Sequence, residues 1–259
     1  MLLTVDVGNT NTLFGLFADH AEQPHVIVRA SSRRDRMPDE WYAILEPGLR
    51  RQDVKPDQVS AMVISSVVPG VTQWLREMGT GILQAGTTVV TSTVDLGIPV
   101  VTDSPAEVGT DRIVNSLAAR HRFGSPVIVI DFGTATNFDV VDPDGRYVGG
   151  ALAPGLVVAL DAMAARAARL FSVELEFPDH ALATNTVHAM QSGLMFGYLS
   201  LIEGMISRLA SELGATPVVV STGGIGQAFA DHSDMIHHHD EFLTLLGLKL
   251  AFDHLSTKK

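Results

Sequence analysis

Two short runs in this chain carry a carboxylate, a glycine and a hydroxyl at matching spacing. Asp6-Val7-Gly8-Asn9-Thr10-Asn11-Thr12 follows the apolar run Leu2-Leu3-Thr4-Val5. Halfway along, Asp131-Phe132-Gly133-Thr134-Ala135-Thr136-Asn137 follows Val127-Ile128-Val129-Ile130. A glycine two positions after a strand-end aspartate lets the backbone turn sharply and come close to a ligand. The N–H groups that follow can donate to phosphate oxygens. An aspartate repels phosphate unless a cation lies between them, so the pattern implies Mg2+ or another ion as well. One copy alone reads as a plain Asp-Gly hairpin. Two copies predict two related halves facing one cleft suited to a nucleoside triphosphate and its metal.

Three other segments bear on chemistry. Glu107-Val108-Gly109-Thr110-Asp111-Arg112 opens a helix, where the macrodipole stabilises an ionised Asp111. A carboxylate held so can accept a proton from an alcohol, although aspartate is also common in first helical turns for structural reasons alone. Ser221-Thr222-Gly223-Gly224-Ile225-Gly226 ends a strand, and its backbone can lie against a purine or ribose. It is not a P-loop, because no Lys-Ser/Thr pair follows. His237-His238-His239 reads as an exposed polar loop rather than a metal site. The chain has neither a His-Glu-x-x-His spacing nor a Gly-x-Ser-x-Gly elbow.

The elements needed to place these residues follow from periodicity. Leu2–Val5, Leu13–Phe17 and Val26–Val28 read as strands, with a turn at Gly8–Thr12. Glu40–Leu49 and Val71–Leu83 read as helices on either side of a buried strand over Val59–Val68, which ends in a Pro69-Gly70 turn. Thr87–Thr91 is β-prone, and residues 93–109 form a loop. Thr110 is the expected cap of a helix bearing Ile113, Val114, Leu117 and Ala118 on one stripe. Tyr147–Ala153 reads as a strand or turn and Gly155–Leu170 as an alanine-rich helix. Thr186 is the expected cap of a long helix to about Leu213. That helix contains Gly193, Gly197 and Gly204, each less favourable than alanine by roughly 1 kcal/mol, so close packing against a neighbour is expected there. Pro217–Ser221 is a strand and Leu243–Phe252 a closing apolar segment. The boundary between halves is placed at 118/119, giving segments 1–118 and 119–259.

Bulk properties narrow the class. With 259 residues, 46% of them hydrophobic and 18% charged, the chain can bury a substantial core. A net charge of −11 argues against nucleic acid as a partner. The basic residues Arg29, Arg33, Arg34 and Arg36 read as a solvated face. With no cysteine there is no disulfide framework and no thiolate metal site. A first strand at residue 2 and the lack of a long apolar run predict no signal peptide, no membrane partner and a cytoplasmic location.

Taken in order, Asp6-Val7-Gly8-Asn9-Thr10, Gly109-Thr110-Asp111-Arg112 and Asp131-Phe132-Gly133-Thr134-Ala135-Thr136 resemble the type III pantothenate kinases, of the acetate and sugar kinase, Hsp70 and actin superfamily. Further matching segments are Ile64–Pro69, Gly149-Gly150 to Pro154-Gly155, Asn185-Thr186 to Ser192-Gly193, and Thr222-Gly223-Gly224, so the resemblance spans most of the chain. It implies an α/β fold of duplicated ribonuclease-H-like (actin-like ATPase) halves, each a mixed sheet flanked by helices. It implies ATP-dependent phosphorylation of pantothenate towards coenzyme A, a homodimer, Mg2+ with ATP, and a monovalent cation, K+ or NH4+. By position, Asp6, Val7, Gly8, Asn9, Thr10, Asn11, Thr12 and Leu13 would hold the ATP phosphates, with Asp6 acting through Mg2+. Thr134 would contact ATP and Asp131 would ligate the monovalent cation. Gly109, Thr110, Asp111 and Arg112 would bind pantothenate, with Asp111 as the proton acceptor, and Thr186 would complete that pocket. Thr110 and Asn137 depart from the family pattern, which has Ala and commonly Thr there. Two alternatives stand beside this reading. One is a kinase for another small alcohol or acid, and the other a non-catalytic nucleotide-binding regulator on the same fold.

Overall fold

The computed structural model describes residues 1–166 and 173–258. The chain forms two compact units: Met1–Arg122 with Phe242–Lys259, and Phe123–Glu241. The sequence reading put the boundary four residues earlier and gave the closing segment to the second half. Instead that segment returns to the first unit, because its apolar face covers the first sheet.

The first unit holds a five-stranded sheet in the order β3-β2-β1-β4-β5. Its strands are β1 (Leu2–Val7), β2 (Asn11–Phe17), β3 (Val26–Ser31), β4 (Ala61–Ser66) and β5 (Gly86–Val89). β1, β2 and β3 run antiparallel, while β4 and β5 run parallel to β1. One side of the sheet packs on α1 (Pro38–Arg51) and α2 (Pro69–Glu77) around Trp41, Leu45, Phe14, Met62 and Leu75, all fully buried. The expected Pro69-Gly70 turn is instead the start of α2. Proline suits a first helical position because its missing N–H would have no intrahelical partner there. The helix expected to reach Leu83 stops at Glu77 and widens into a π turn over Met78–Ile82. α3 (Thr110–Phe123) follows the long loop.

The second unit repeats the plan. β6 (Val127–Phe132), β7 (Ala135–Val141), β8 (Tyr147–Pro154), β9 (Val218–Gly223) and β10 (His238–His239) form a sheet in the order β10-β9-β6-β7-β8. Read from its other edge, this is the same path through the sheet as in the first unit. β6 to β8 run antiparallel, and β9 and β10 run parallel to β6. The burial patterns of β1 and β6 are identical. Each unit is thus a ribonuclease-H-like layer, and the fold is a duplication.

The second core gathers Ile130, Phe138, Phe229, Met195, Tyr198 and Ile202 beneath α4 (Leu156–Arg166), α5 (Thr186–Leu213) and α6 (Gly226–Ala230). Residues 167–170 of the expected Gly155–Leu170 helix lie outside the described residues. The cap of α5 is Asn185, whose side chain accepts from the His188 N–H, so Thr186 is the first helical residue rather than the cap. Gly193 and Gly197 do not meet the close neighbour expected for them: among the described residues, a β-carbon on either would touch nothing within 4 Å. The closing segment is α7 (Leu243–Thr257), which packs on β1, β2 and β4. Among the described residues, no helix is long and apolar enough to cross a membrane.

Candidate active site

The site residues expected on the first hairpin come together there. Asp6 is the penultimate residue of β1 and pairs across the ladder with Leu13, and Val7 pairs with Thr12. Gly8, Asn9 and Thr10 make the turn, closed by a hydrogen bond from Gly8 N–H to the Asn11 carbonyl (2.9 Å). Asn9, Thr10 and Asn11 are exposed, whereas Thr12 is fully buried. The turn is held from outside by the residue after β3. Ser32 N–H donates to the Thr10 carbonyl (2.9 Å), and Ser32 Oγ lies 2.8 Å from Thr12 Oγ1. The exposed turn groups are thereby fixed before any ligand arrives, which lowers the ordering cost of binding.

The second hairpin is built alike. Asp131 is the penultimate residue of β6 and faces Asn137, with Gly133 N–H donating to the Ala135 carbonyl (3.1 Å). Gly133 and Thr134 make the turn and are exposed. The residue after β8 holds it: Gly155 N–H donates to the Thr134 carbonyl (3.0 Å). A β-carbon on Gly155 would collide with the Gly133 and Thr134 carbonyl oxygens, so only glycine fits. Thr136, the counterpart of Thr12, is buried, and its Oγ1 lies 2.7 Å from Tyr198 Oη on α5. The same phenol lies 2.7 Å from the Pro154 carbonyl. Burial pushes the Tyr198 pKa up, against the hydrogen bond with Thr136, so the phenol stays neutral and keeps its proton to donate.

Gly109 to Arg112 open α3. Gly109 occupies the cap position expected of Thr110, because its carbonyl accepts the first helical bond from Ile113 N–H (3.2 Å). The Asp111 carboxylate folds back over it, and a β-carbon at Gly109 would run into Asp111 Oδ1. Two contacts fix the helix that carries Asp111. Gly247 of α7 packs against the Val114 backbone so closely that a β-carbon there would overlap the Val114 carbonyl. Arg120 donates to the Gly97 carbonyl (2.8 Å).

Thr186 is the first residue of α5; a cavity of about 410 Å³ near that end is bordered by Glu176, Phe177, Thr184, His188 and Gln191, but not by Thr186. The Gly223–Gly226 turn leaves the end of β9. Gly223 adopts φ +90° and lies on the Phe132 backbone, which ties this turn to the second Asp-x-Gly motif. His237 and His238 are exposed as expected, but the run is not a loop. His238 and His239 form β10 and pair with Val220 and Ser221 of β9.

Among the described residues, no group of three or more His, Asp or Glu side chains is placed to hold a metal ion. Each hairpin instead offers one carboxylate beside exposed backbone and hydroxyl or amide oxygens. That donor set fits a hard cation that arrives with a triphosphate and brings most of its own ligands.

The model of the type III pantothenate kinase family matches residues 2–208. The chain belongs to the type III pantothenate kinase family. A type III pantothenate kinase of Thermomicrobium roseum is 42% identical over 255 residues, covering 98% of both chains. One of Moorella thermoacetica is 42% identical over 253 residues, covering 98% of this chain and 99% of its own. Among solved structures, the activator of the 2-hydroxyisocaproyl-CoA dehydratase from Clostridium difficile with bound ADPNP superposes with a TM-score of 0.58. It covers 99% of this chain and 96% of its own at 14% identity, a likeness of fold. As a member of this kinase family the chain is an enzyme, a phosphotransferase. Sequence reasoning singled out the hairpins but missed Ser32, Tyr198 and the role of Gly155. The first two carry no motif, and only the fold shows what they touch.

Proposed function

We propose that this chain transfers the γ-phosphoryl group of ATP to the primary hydroxyl of pantothenate, the first step towards coenzyme A. The observation that carries the reading is the pair of Asp-x-Gly hairpins, each with its turn fixed from the residue after the third strand. Family membership supports the choice of substrate.

In this reading residues 6–13 hold the triphosphate, chiefly through the N–H groups of Asn9 and Thr10 in the turn that the Gly8 N–H closes. Thr134 contacts ATP from the second hairpin. Gly109, Thr110 and Arg112 bind pantothenate with Asp111, and Thr186 completes the pocket. Asp6 would hold the Mg2+ that comes with ATP, and that ion would supply charge neutralisation for the phosphates. Asp131 would hold a monovalent cation, K+ or NH4+. Asp111 orients the pantothenate hydroxyl and accepts its proton. A new O–P bond forms to the γ-phosphorus, the bridging β–γ P–O bond breaks, and ADP departs.

The same reading includes a homodimer. α4 and α5 pack together and leave Val157, Val158 and Met163, and Val187 and Leu201, at the surface. Gly193 and Gly197 expose a smooth strip of α5, where a second helix can approach closely. Light scattering of the purified chain should give twice the 27.7 kDa chain mass; a single chain mass at micromolar concentration would remove the dimer.

A coupled assay of ADP release in K+ buffer, with and without pantothenate, tests the activity. Release should depend on pantothenate. Asp111→Asn, folded normally, should lose about 1,000-fold in turnover. ADP release indifferent to pantothenate would favour the regulator, and turnover of a different small alcohol would reassign the substrate.

A further inference from the structure

We propose that His239 is a positioning residue for the adenosine half of ATP: clamped between Ser221 and Gly226, it holds the Gly223–Gly226 turn in the shape that receives the nucleotide. The inference rests on the kinase reading above and names a residue that reading does not use.

The three glycines of the turn differ in why they are glycine. Gly223 needs its left-handed backbone and its contact with Phe132. Gly226 is buried, and a β-carbon there would come within 2.9 Å of His239 Cε1 and Nδ1 and 3.3 Å of Phe132 Cδ2. Gly224 is exposed, and a β-carbon on it would touch nothing within 4 Å. Neither packing nor a left-handed backbone accounts for glycine at 224. Close approach of a ligand to the backbone does.

The shape of the turn is therefore set at Gly226, and the group pressed against Gly226 is the His239 ring. Its Nδ1 lies 2.9 Å from Ser221 Oγ, itself fully buried and 3.4 Å from both the Gly226 and His238 carbonyls. One hydroxyl thus links the end of β9, the edge strand β10 and the far end of the turn. In either imidazole tautomer the ring and the hydroxyl make one hydrogen-bonded unit. Burial pulls the His239 pKa down, against the nearby carboxylates of Asp240, Glu241 and Asp231. The ring that rests on Gly226 is accordingly the neutral one near pH 7. The edge strand, only two residues long, carries this side chain to the turn. Phe132, sandwiched between Gly226 and the stacked ring of Phe229 (centroids 5.0 Å apart), closes the other side.

The test compares ATP with inorganic tripolyphosphate, which lacks adenosine. His239→Ala should raise the KM for ATP about tenfold, with kcat and the KM for pantothenate within about twofold of wild type. Calorimetry should show the same loss for ATP and none for tripolyphosphate. His239→Asn, which restores a donor and an acceptor beside Ser221, should return the KM to within about threefold of wild type. Should His239→Ala fail to fold, Ser221→Ala takes its place, with an expected rise of about threefold in the KM for ATP. An unchanged KM for ATP in whichever variant folds, or equal losses for ATP and tripolyphosphate, overturns the proposal. Gly224→Val separates this from failure of the underlying reading. If Gly224→Val raises the KM for ATP and His239→Ala does not, the histidine role alone is wrong. If neither does, the turn is not part of the nucleotide site.

Discussion

The Asp6 hairpin and the Asp131 hairpin share strand lengths, burial pattern, a penultimate aspartate and a buried threonine, yet their turns differ by one residue. Three residues, Gly8, Asn9 and Thr10, bridge the first, and two, Gly133 and Thr134, bridge the second. The extra residue gives the first turn one more N–H and an exposed amide side chain, which suits it to cradling several phosphate oxygens. The second turn is shorter, and its Thr134 carbonyl is already taken by the Gly155 N–H. It offers one N–H fewer, which accords with the single ion that the proposed function places beside Asp131. Duplication thus supplied two equal frames that differ by one residue in the turn, and the proposed function assigns them different work.

The largest expected effects test that division directly. Asp6→Asn should lower kcat/KM about 1,000-fold, because the cation that accompanies the triphosphate loses its carboxylate. Asp131→Asn should lower it less, about 100-fold, and should also flatten the preference for K+ over Na+ that the wild type is expected to show. Steady-state kinetics in the two salts measures both. Equal losses with an unaltered salt preference would mean that the two hairpins do the same job.

How the two buried threonines are satisfied gives a second contrast, smaller and read in stability. Among the described residues, the Thr12 hydroxyl has one partner, Ser32 Oγ, while Thr136 shares Tyr198 Oη with the Pro154 carbonyl. Tyr198→Phe strands two polar groups and should cost about 2–3 kcal/mol. Ser32→Ala strands one and should cost about 1 kcal/mol. Calorimetric unfolding of the two variants should therefore show the larger drop in melting temperature for Tyr198→Phe. The reverse order would show that the second hairpin does not depend on α5.

Much of this frame is legible in the sequence, and the physical reason is local. A strand, an Asp-x-Gly and a returning strand are specified by residues within about fifteen positions of one another, so the motif announces both its shape and its repeat. The same holds for α1, α3 and α5, whose apolar stripes are self-contained. What escapes is long-range. Leu243–Thr257 reads as a closing apolar segment, but its leucines look the same whichever sheet they cover. The choice is made by Gly247 against Val114 and by Leu245 against Gly15. His239 reads as part of a polar run because nothing near it in sequence reveals that Ser221 and Gly226 wait at the edge of β9. Cap positions slip by one residue at Gly109 and Asn185, since threonine, asparagine and glycine are all good caps and neighbours compete.

The way the units close supplies the last and smallest contrast. The second unit is one continuous stretch, whereas the first recruits α7 from the chain's end and clips it to the loop before α3. Asp95 makes the clip: Lys258 Nζ lies 2.5 Å from its Oδ2, His254 Nε2 3.4 Å away, and Gly97 N–H donates to Oδ1 at 3.0 Å. The Lys258 hydrogen bond first, then the Gly97 N–H, hold the Asp95 carboxyl well below its ordinary pKa of 3.8. A depressed carboxylate pKa adds stability that is present above the unfolded pKa, near 3.8, and fades as pH falls from there towards the folded value. The Asp95 side chain is 60% exposed, so solvent screens most of this. Asp95→Asn should therefore cost only about 0.5 kcal/mol at pH 7, less in high salt, and nothing once the wild-type carboxyl is itself protonated. Melting curves at pH 7 and pH 3 would show the gap between variant and wild type narrowing in acid. No gap at either pH would mean that the return of α7 rests on its leucines alone and that Asp95 plays no part in closing the first unit.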